Sequence, residues 1–398
     1  MNAMAALSVV VAWPLWRVLL LILAAMPLVY YLAATIAAWR FFQRQPSHEH
    51  AEFRPPVSVL KPVRGVDFAS YENFASFCRQ EYPDYEILFG AGDESDPAVP
   101  LIRRIMQEFP QRSIRLIIGA EQLGTNRKVN MLVRLAREAR HDVLLLTDGD
   151  VRIPPHYIER IVRPLASPQT GAVTSFYRGI AEKNLGAELE AIGAAGEFFA
   201  GVLMANWMEG MTFALGASIA TTKSWLAKIG GFAAIADWLA DDYELGHRVA
   251  KAGGRVILSP ETVWTMYPAQ SPRSFWQHQL RWARTVRLCR PASYFGLLIT
   301  HGLPWAVLAA LVAPAPSVAL SFILGYVVLR LIMAWTVGVW GVGDEVLRHR
   351  VWLVPVRDAI HFVVWIAGFA SSRVHWGGEE FHMAKGQLLR VTPVKKTG

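Results

Sequence analysis

Two long apolar stretches flank a polar middle. Residues 18–39 carry no formal charge. At ~1.5 Å per residue, a helix of that length crosses a bilayer core of ~30 Å. Arg17 precedes the stretch, and Arg40 and Arg44 follow it. A cleaved signal peptide is the competing reading, but the run is long for one and no small-x-small site precedes the polar part. The balance of basic residues places the following domain on the cytoplasmic side. Residues 291–329 are again free of charge, and Ala313-Pro314-Ala315-Pro316-Ser317 interrupts them. The pattern predicts two spans joined by a tight turn. Arg330 falls inside the second and must snorkel, pair or face a polar interior. Residues 351–370 contain Arg357, Asp358 and His361, so they form either a span packed against protein or a helix lying at the interface. The chain thus divides into an anchor (1–45), a catalytic-sized domain (46–290) and a membrane or interfacial region with a tail (291–398).

The middle alternates strand and helix. Short buried-strand runs occur at 57–60, 86–91, 114–118 and 142–147, and helical stretches at 97–109 and 128–140 lie between them. Asp96 stands where an N-cap before Pro97 is wanted. Such alternation predicts an α/β fold with a mostly parallel, Rossmann-like sheet covered by helices. In open sheets of this kind, ligands sit at the carboxyl ends of strands, and acids follow two of those ends, at Asp93 and at Asp148 and Asp150.

Composition agrees with a chain partly in lipid. Hydrophobic residues make up 53% and charged residues 18% of 398, below the ~25% charge of soluble domains. Cys78 and Cys289 are the two cysteines, which excludes a disulfide framework and a thiolate metal cluster. The net charge of +8 suits anionic headgroups and phosphate-bearing substrates. No basic-aromatic stripe supports nucleic-acid binding.

Three pieces carry candidate chemistry. Asp148-Gly149-Asp150 follows an apolar strand, and two carboxylates there can share Mg²⁺ or Mn²⁺ with substrate phosphates. Alone, Asp-Gly is also a common turn pair. Asp241 and Asp242 open a helical stretch, where one acid suffices for capping and the second is free to act as general base. His278-Gln279-Leu280-Arg281-Trp282 places a bidentate phosphate binder beside an indole wall, although a membrane-surface helix would look similar. Residues 191–211 are apolar. They form either a buried core helix or a membrane-facing helix that leads an acceptor's alkyl chain to the base.

In this order, these pieces resemble the GT-A glycosyltransferases, specifically the ceramide glucosyltransferase family (family 21) and its bacterial hopanoid-biosynthesis relatives. The resemblance covers nearly the whole chain. It includes Val57-Ser58-Val59-Leu60-Lys61-Pro62-Val63-Arg64-Gly65-Val66-Asp67, Asp93-Glu94-Ser95-Asp96, Gly124-Thr125-Asn126-Arg127-Lys128-Val129-Asn130, Gly216-Ala217-Ser218 and Asp241-Asp242-Tyr243.

The resemblance implies a role for each position. Asp93 would recognise the uracil of a UDP-sugar, and Asn126, Lys128 and Asn130 would form the donor-binding run. Asp148 and Asp150 would hold the metal, Asp242 would be the base, and Arg281 and Trp282 would end the Gln/Arg-x-x-Arg-Trp signature. Asp241, Gly216, Ser218 and His278 fall on the acceptor side. The signature's first position is His278 here, with Gln277 and Gln279 on either side, so Arg-Trp is the safer carry-over. The implied activity is inverting transfer of a hexose from a UDP-sugar such as UDP-glucose to the primary hydroxyl of a lipid, ceramide first. A hopanoid acceptor with UDP-N-acetylglucosamine is the alternative. A processive polysaccharide synthase and a non-enzymatic scaffold are further rivals. The synthase would need more spans, and the scaffold would be expected if the acids were missing.

Overall fold

The computed structural model of the chain describes residues 13–43, 52–376 and 379–390. Arg44 lies outside them. At the centre is an eight-stranded mixed sheet in the order β3-β2-β1-β4-β7-β6-β8-β5. Its strands are β1 (Val57–Val63), β2 (Tyr85–Ala91), β3 (Ser113–Ile118), β4 (Val143–Thr147), β5 (Val151–Arg152), β6 (Thr170–Ala181), β7 (Ser218–Thr222) and β8 (Arg255–Tyr267). β3, β2, β1 and β4 run parallel, β7 lies antiparallel between β4 and β6, and β6 and β8 are parallel again. The expected parallel-rich α/β sheet is therefore present. β1 runs beyond the expected 57–60 because Lys61 and Pro62 stay in register with Phe89 and Gly90. Asp96 anchors the helix Ala98–Glu108 by accepting from Ala98 N (2.9 Å), and the same oxygen accepts from Gly65 N (2.9 Å).

Among the described residues, four helices are long and apolar enough to cross a membrane: Leu15–Gln43, Leu185–Met208, Pro316–Val342 and Glu345–Gly368. A bent pair, Pro291–Thr300 with Gly302–Val312, makes a fifth candidate, broken by 48°. At the break, Tyr31 satisfies backbone that lipid would leave orphaned. Its hydroxyl donates to Thr300 O (3.1 Å) and accepts from Gly302 N (2.9 Å). Towards the end of the bent pair, Ala309 packs with Leu21 and Ala24 in the first half of the first span. The helix Pro316–Val342 then returns along that span, with Gly325 against Leu28 and Gly341 against Phe42. The tight turn expected at 313–317 joins the two.

The other two long helices have both ends at the catalytic domain. Leu185–Met208 leaves β6 and leads to β7, and those strands pair in one sheet. Its first end is tied to Gln270 through Asn184, and just beyond its last end Glu209 pairs with Arg290 (2.9 Å). Glu345–Gly368 starts at Asp344, which caps it and accepts from Gly179 N of β6 (2.7 Å). It ends with Gly368 against Ala283 and Tyr294. Both ends of each helix thus meet one domain, an arrangement that suits a helix along the membrane face. By length and composition both are candidate spans.

The chain then turns back. β9 (Arg373–Trp376), β10 (Glu379–Ala384) and β11 (Gln387–Arg390) form a small sheet, unforeseen in the sequence, against Trp238 and Asp237.

Arg330 resolves its burial by pairing. It is 3% exposed and grips Asp358 with Nε (2.9 Å) and Nη2 (2.7 Å), while Tyr326 donates to the same carboxylate (2.9 Å). Its Nη1 donates to Gly196 O (2.9 Å) at a π turn, Ala194–Phe198. This network fastens a span to the helices Leu185–Met208 and Glu345–Gly368. Removing one partner strands a buried charge, which typically costs ~3–5 kcal/mol. Asp358→Ala should therefore lower the thermal unfolding temperature of the detergent-solubilised protein sharply. The double change Arg330→Met with Asp358→Leu should recover most of the loss.

Candidate active site

A cavity of about 2340 Å³ opens at the carboxyl ends of β1, β2 and β4. It runs from Asp93 past Asp148, Asp150, Asp241 and Asp242 to Glu197, His301 and Arg357 among the long apolar helices. β4 ends at Thr147, so Asp148-Gly149-Asp150 forms its exit loop before β5. Beneath the loop lies Lys61, fully buried on β1 and seated over the Phe77 ring (4.3 Å). Its ammonium donates to Asp148 O (2.6 Å) and Val151 O (3.1 Å), fixing the loop backbone. Burial pulls Lys61 down to about 7, against the upward pull of Asp150, Asp148 and Asp67. Lys61 was missed as a site residue, although a lysine inside an apolar strand run is itself a signal.

Lys128, on the helix Arg127–Glu138, ties the two acidic segments together. Its Nζ is 2.7 Å from Asp148 Oδ1 and 3.0 Å from Asp241 Oδ2. Burial works against its charge, but Asp148, Asp241 and Asp242 hold its pKa well above the usual lysine value. The helix Asp241–Lys251 has Ala240 as N-cap, which offers no side-chain oxygen. Neither acid acts as the N-cap, and Asp241 turns to Lys128. Asp242 points towards Gly216, where a Cβ would sit 2.9 Å from its Oδ2. Burial and then Asp241 push Asp242 up to about 6, with Lys128 opposing. Burial and then Asp148 push Asp150 up to about 7.

Asn126 and Ser218 depart from the expected set. Asn126 is fully buried and outside the cavity lining. Its side chain accepts from Val129 N (3.1 Å) and donates to Trp238 O (2.7 Å), so it caps the Lys128 helix and touches no ligand space. Ser218 is fully buried at the first position of β7, paired with Thr147, and stands outside the cavity lining that Gly216 and Ala217 share. Asn130 does line the cavity and builds its wall, accepting from Gly124 N (3.1 Å) and donating to Gly124 O (2.8 Å). Gly124 is required there, since a Cβ would lie 2.5 Å from Ala236 O. Asp93 is exposed at the end of β2. Its carboxylate accepts from Ser95 Oγ and Ser95 N, which holds it below the usual range.

The helix Pro272–Cys289 supplies the other wall. His278 pairs through Nδ1 with Glu190 and accepts at Nε2 from Trp282 Nε1 (3.0 Å). Trp282 meets Phe198 edge-on (5.8 Å). Gln279 faces the membrane side, accepting from Arg357 Nη2 (2.8 Å). Arg281 lines the cavity, and burial lowers its pKa while Glu190 raises it. The tail adds Trp376 and Glu379, the latter paired with Arg127.

Asp148 and Asp150 fit a hard divalent cation. Four carboxylates face two lysines, and Asp150 is raised first by burial and then by the charge of Asp148, both of which a cation between oxygen donors would offset.

This sheet and its cluster of acids at strand ends define a sugar transferase of the GT-A type. A mannosyltransferase from Pyrobaculum calidifontis, solved in complex with GDP-Man and Mn²⁺, shares the fold at a TM-score of 0.55 and 17% identity, covering 89% of this chain and 99% of its own. The chain belongs to glycosyl transferase family 21, whose model matches residues 19–389. Its relatives include ceramide glucosyltransferases 3 and 1 of Caenorhabditis elegans. Each is 24% identical, over 84% and 85% of this chain and 74% of either relative.

The Gly216 contact gives a test. Gly216→Ala forces the Asp242 carboxyl aside, and displacement by ~1 Å at a reacting group costs up to ~100-fold in rate. Transfer by Gly216→Ala should fall by that order, while the Kd for UDP from calorimetry should stay close to that of the unmodified protein.

Proposed function

We propose that this family 21 glycosyltransferase moves glucose from UDP-glucose to the primary hydroxyl of ceramide, with inversion, on the cytoplasmic face of its membrane. The observation that carries this reading is one cavity joining the carboxylates at the strand ends to the long apolar helices. The ceramide glucosyltransferases among its relatives support the acceptor and sugar. Arg40, after the first span, supports the orientation.

In the proposed reaction, Asp93 faces the base of the nucleotide and Asn130 shapes the loop beside it. Asp148 and Asp150 would hold Mg²⁺ or Mn²⁺, which when bound would supply positive charge to the diphosphate leaving group. The Arg281 side chain makes no hydrogen bond or ion pair among the described residues, with Glu190 as its electrostatic neighbour, so its fork can take a phosphate. Asp242 takes the proton from the lipid hydroxyl as that oxygen bonds the anomeric carbon and the bond to UDP breaks. With Asp148 and Asp241 paired to Lys128 and Glu190 paired to His278, Asp242 acts as a lone base, which favours inversion, so an α-linked donor gives a β-glycoside. Trp282, with Phe198 behind it, makes an apolar wall for the acceptor.

The deciding experiment incubates the purified full-length protein with UDP-glucose or UDP-N-acetylglucosamine, ceramide or a hopanoid, and Mn²⁺ or Mg²⁺. A single β-glucosylceramide is expected. A glycosylated hopanoid or a ladder of longer products would replace this reading.

Asp242→Asn should lower kcat by ~100-fold or more, the usual loss of a general base. A base with its pKa raised to about 6 works only when deprotonated. The kcat/KM should therefore hold above that pH and fall tenfold per unit below it. A profile flat down to pH 5 would exclude Asp242 as the titrating base.

A further inference from the structure

The membrane end of the cavity holds ionisable groups that the proposed chemistry does not use. Glu197, on the π turn, pairs with His361 Nδ1, and the His361 ring lies 4.8 Å from that of His301. His301 sits at the break of the bent pair, 5% exposed, with Nε2 lacking a hydrogen-bond partner among the described residues. Arg357 is also 5% exposed. Its Nη2 is taken by Gln279, while Nε and Nη1 are unpartnered among the described residues. Arg357 interacts electrostatically with both Glu197 and His301. All four side chains line the cavity that Asp242 lines.

Buried donors left unpaired cost ~1–3 kcal/mol each, so a bound group that accepts from them is favoured. Ionisable groups at membrane depth mark ligand paths. Glu197, His301 and His361 place ligand atoms within 4.8 Å of one another, as a His₂Glu metal set would. Charge argues otherwise. Arg330 and Arg357 balance Glu197 and Asp358 when both imidazoles are neutral. A dication would add two uncompensated charges between two arginines, whereas a neutral ligand leaves the balance intact. Leu297, Leu303 and Met333 continue the lining with apolar surface.

We infer that Glu197, His301, His361 and Arg357 form a binding site for the neutral, hydrogen-bonding head of a lipid. A carbonyl or hydroxyl oxygen of that head accepts from Arg357 and His301, and a hydroxyl donates to Glu197. The site selects acceptors by head chemistry and not by alkyl length. This rests on the lipid-acceptor reading above.

The test measures binding of a fluorescent short-chain ceramide, and separately of UDP, to the full-length protein in detergent. His301→Phe and Arg357→Lys should each weaken ceramide binding about tenfold or more, the loss expected from a buried hydrogen bond. Both should leave the Kd for UDP unchanged, which also shows that the variants fold. An analogue without the amide carbonyl should bind the unmodified protein as weakly as ceramide binds Arg357→Lys. Unchanged ceramide binding in both variants, equal loss of UDP binding, or no ceramide binding to the unmodified protein would overturn the site. So would a stoichiometric transition metal, by mass spectrometry, that the variants lose. If ceramide binds through these residues yet UDP-glucose yields no glycolipid, the site stands and the acceptor reading falls. If glycolipid forms but the variants bind as the unmodified protein does, the reverse holds.

Discussion

One ammonium holds the catalytic end together. Asp148 leaves a central strand, and Asp241 opens a helix far along the chain; four acids gathered in one cleft repel each other strongly. Lys128 bridges Asp148 and Asp241 at 2.7 and 3.0 Å, so the two segments meet at a shared cation. The surrounding structure serves that bridge. Asn126 caps the Lys128 helix and ties it to Trp238 O, three residues before Asp241. Gly124 lets the preceding loop approach Ala236 more closely than any side chain would allow. Lys61 fixes the Asp148 carbonyl from below. The Gly124 loop, the Asp148–Asp150 loop and the helix that Asp241 opens are thus one mechanical unit.

The same end of the molecule receives the chain back from the membrane. The span pair between Pro291 and Val342 goes out and returns, so the tail re-enters on the side it left. Two long apolar helices, each with both ends at the catalytic domain, are held together through Arg330, which bonds Asp358 on one and Gly196 O on the other. Their exposed faces, with Trp207, Trp352 and Ile366, suit the lipid boundary. A floor of this kind lets a cavity open both to a polar donor above and to lipid from the side.

Much of this was legible because it rests on local rules. Charge-free runs marked the spans, the strand-helix alternation marked the sheet, and acids after strand ends marked the cleft. Burial and register were not legible. Asn126 and Ser218 carry site-like neighbours in the sequence, yet one is consumed by capping and the other is buried where β7 begins, beside Thr147. Residues 345–368 pass the hydropathy test of a span, and only their contacts with Gly179, Ala283 and Tyr294 show that both ends stay with the catalytic domain. The tail strands form because Asp237 O and Trp238 offer them an edge, a partner no local pattern encodes.

The two acids with raised pKa values, Asp150 and Asp242, sit in different electrostatic settings, and the difference sorts their proposed roles. Asp150 is raised by burial and Asp148, with buried Lys61 opposing; a divalent cation at that pair would favour its charged form. Asp242 is raised by burial and Asp241, whose own charge is taken up by Lys128. Its carboxyl lies in the space beside Gly216, on the side open to the cavity. A base needs a pKa near the working pH and room for the proton donor's oxygen, and Asp242 has both. With Lys128 shared by Asp148 and Asp241, and Lys61 opposing the rise at Asp150, Asp242 is the carboxylate left for the proposed chemistry in a cleft that carries four.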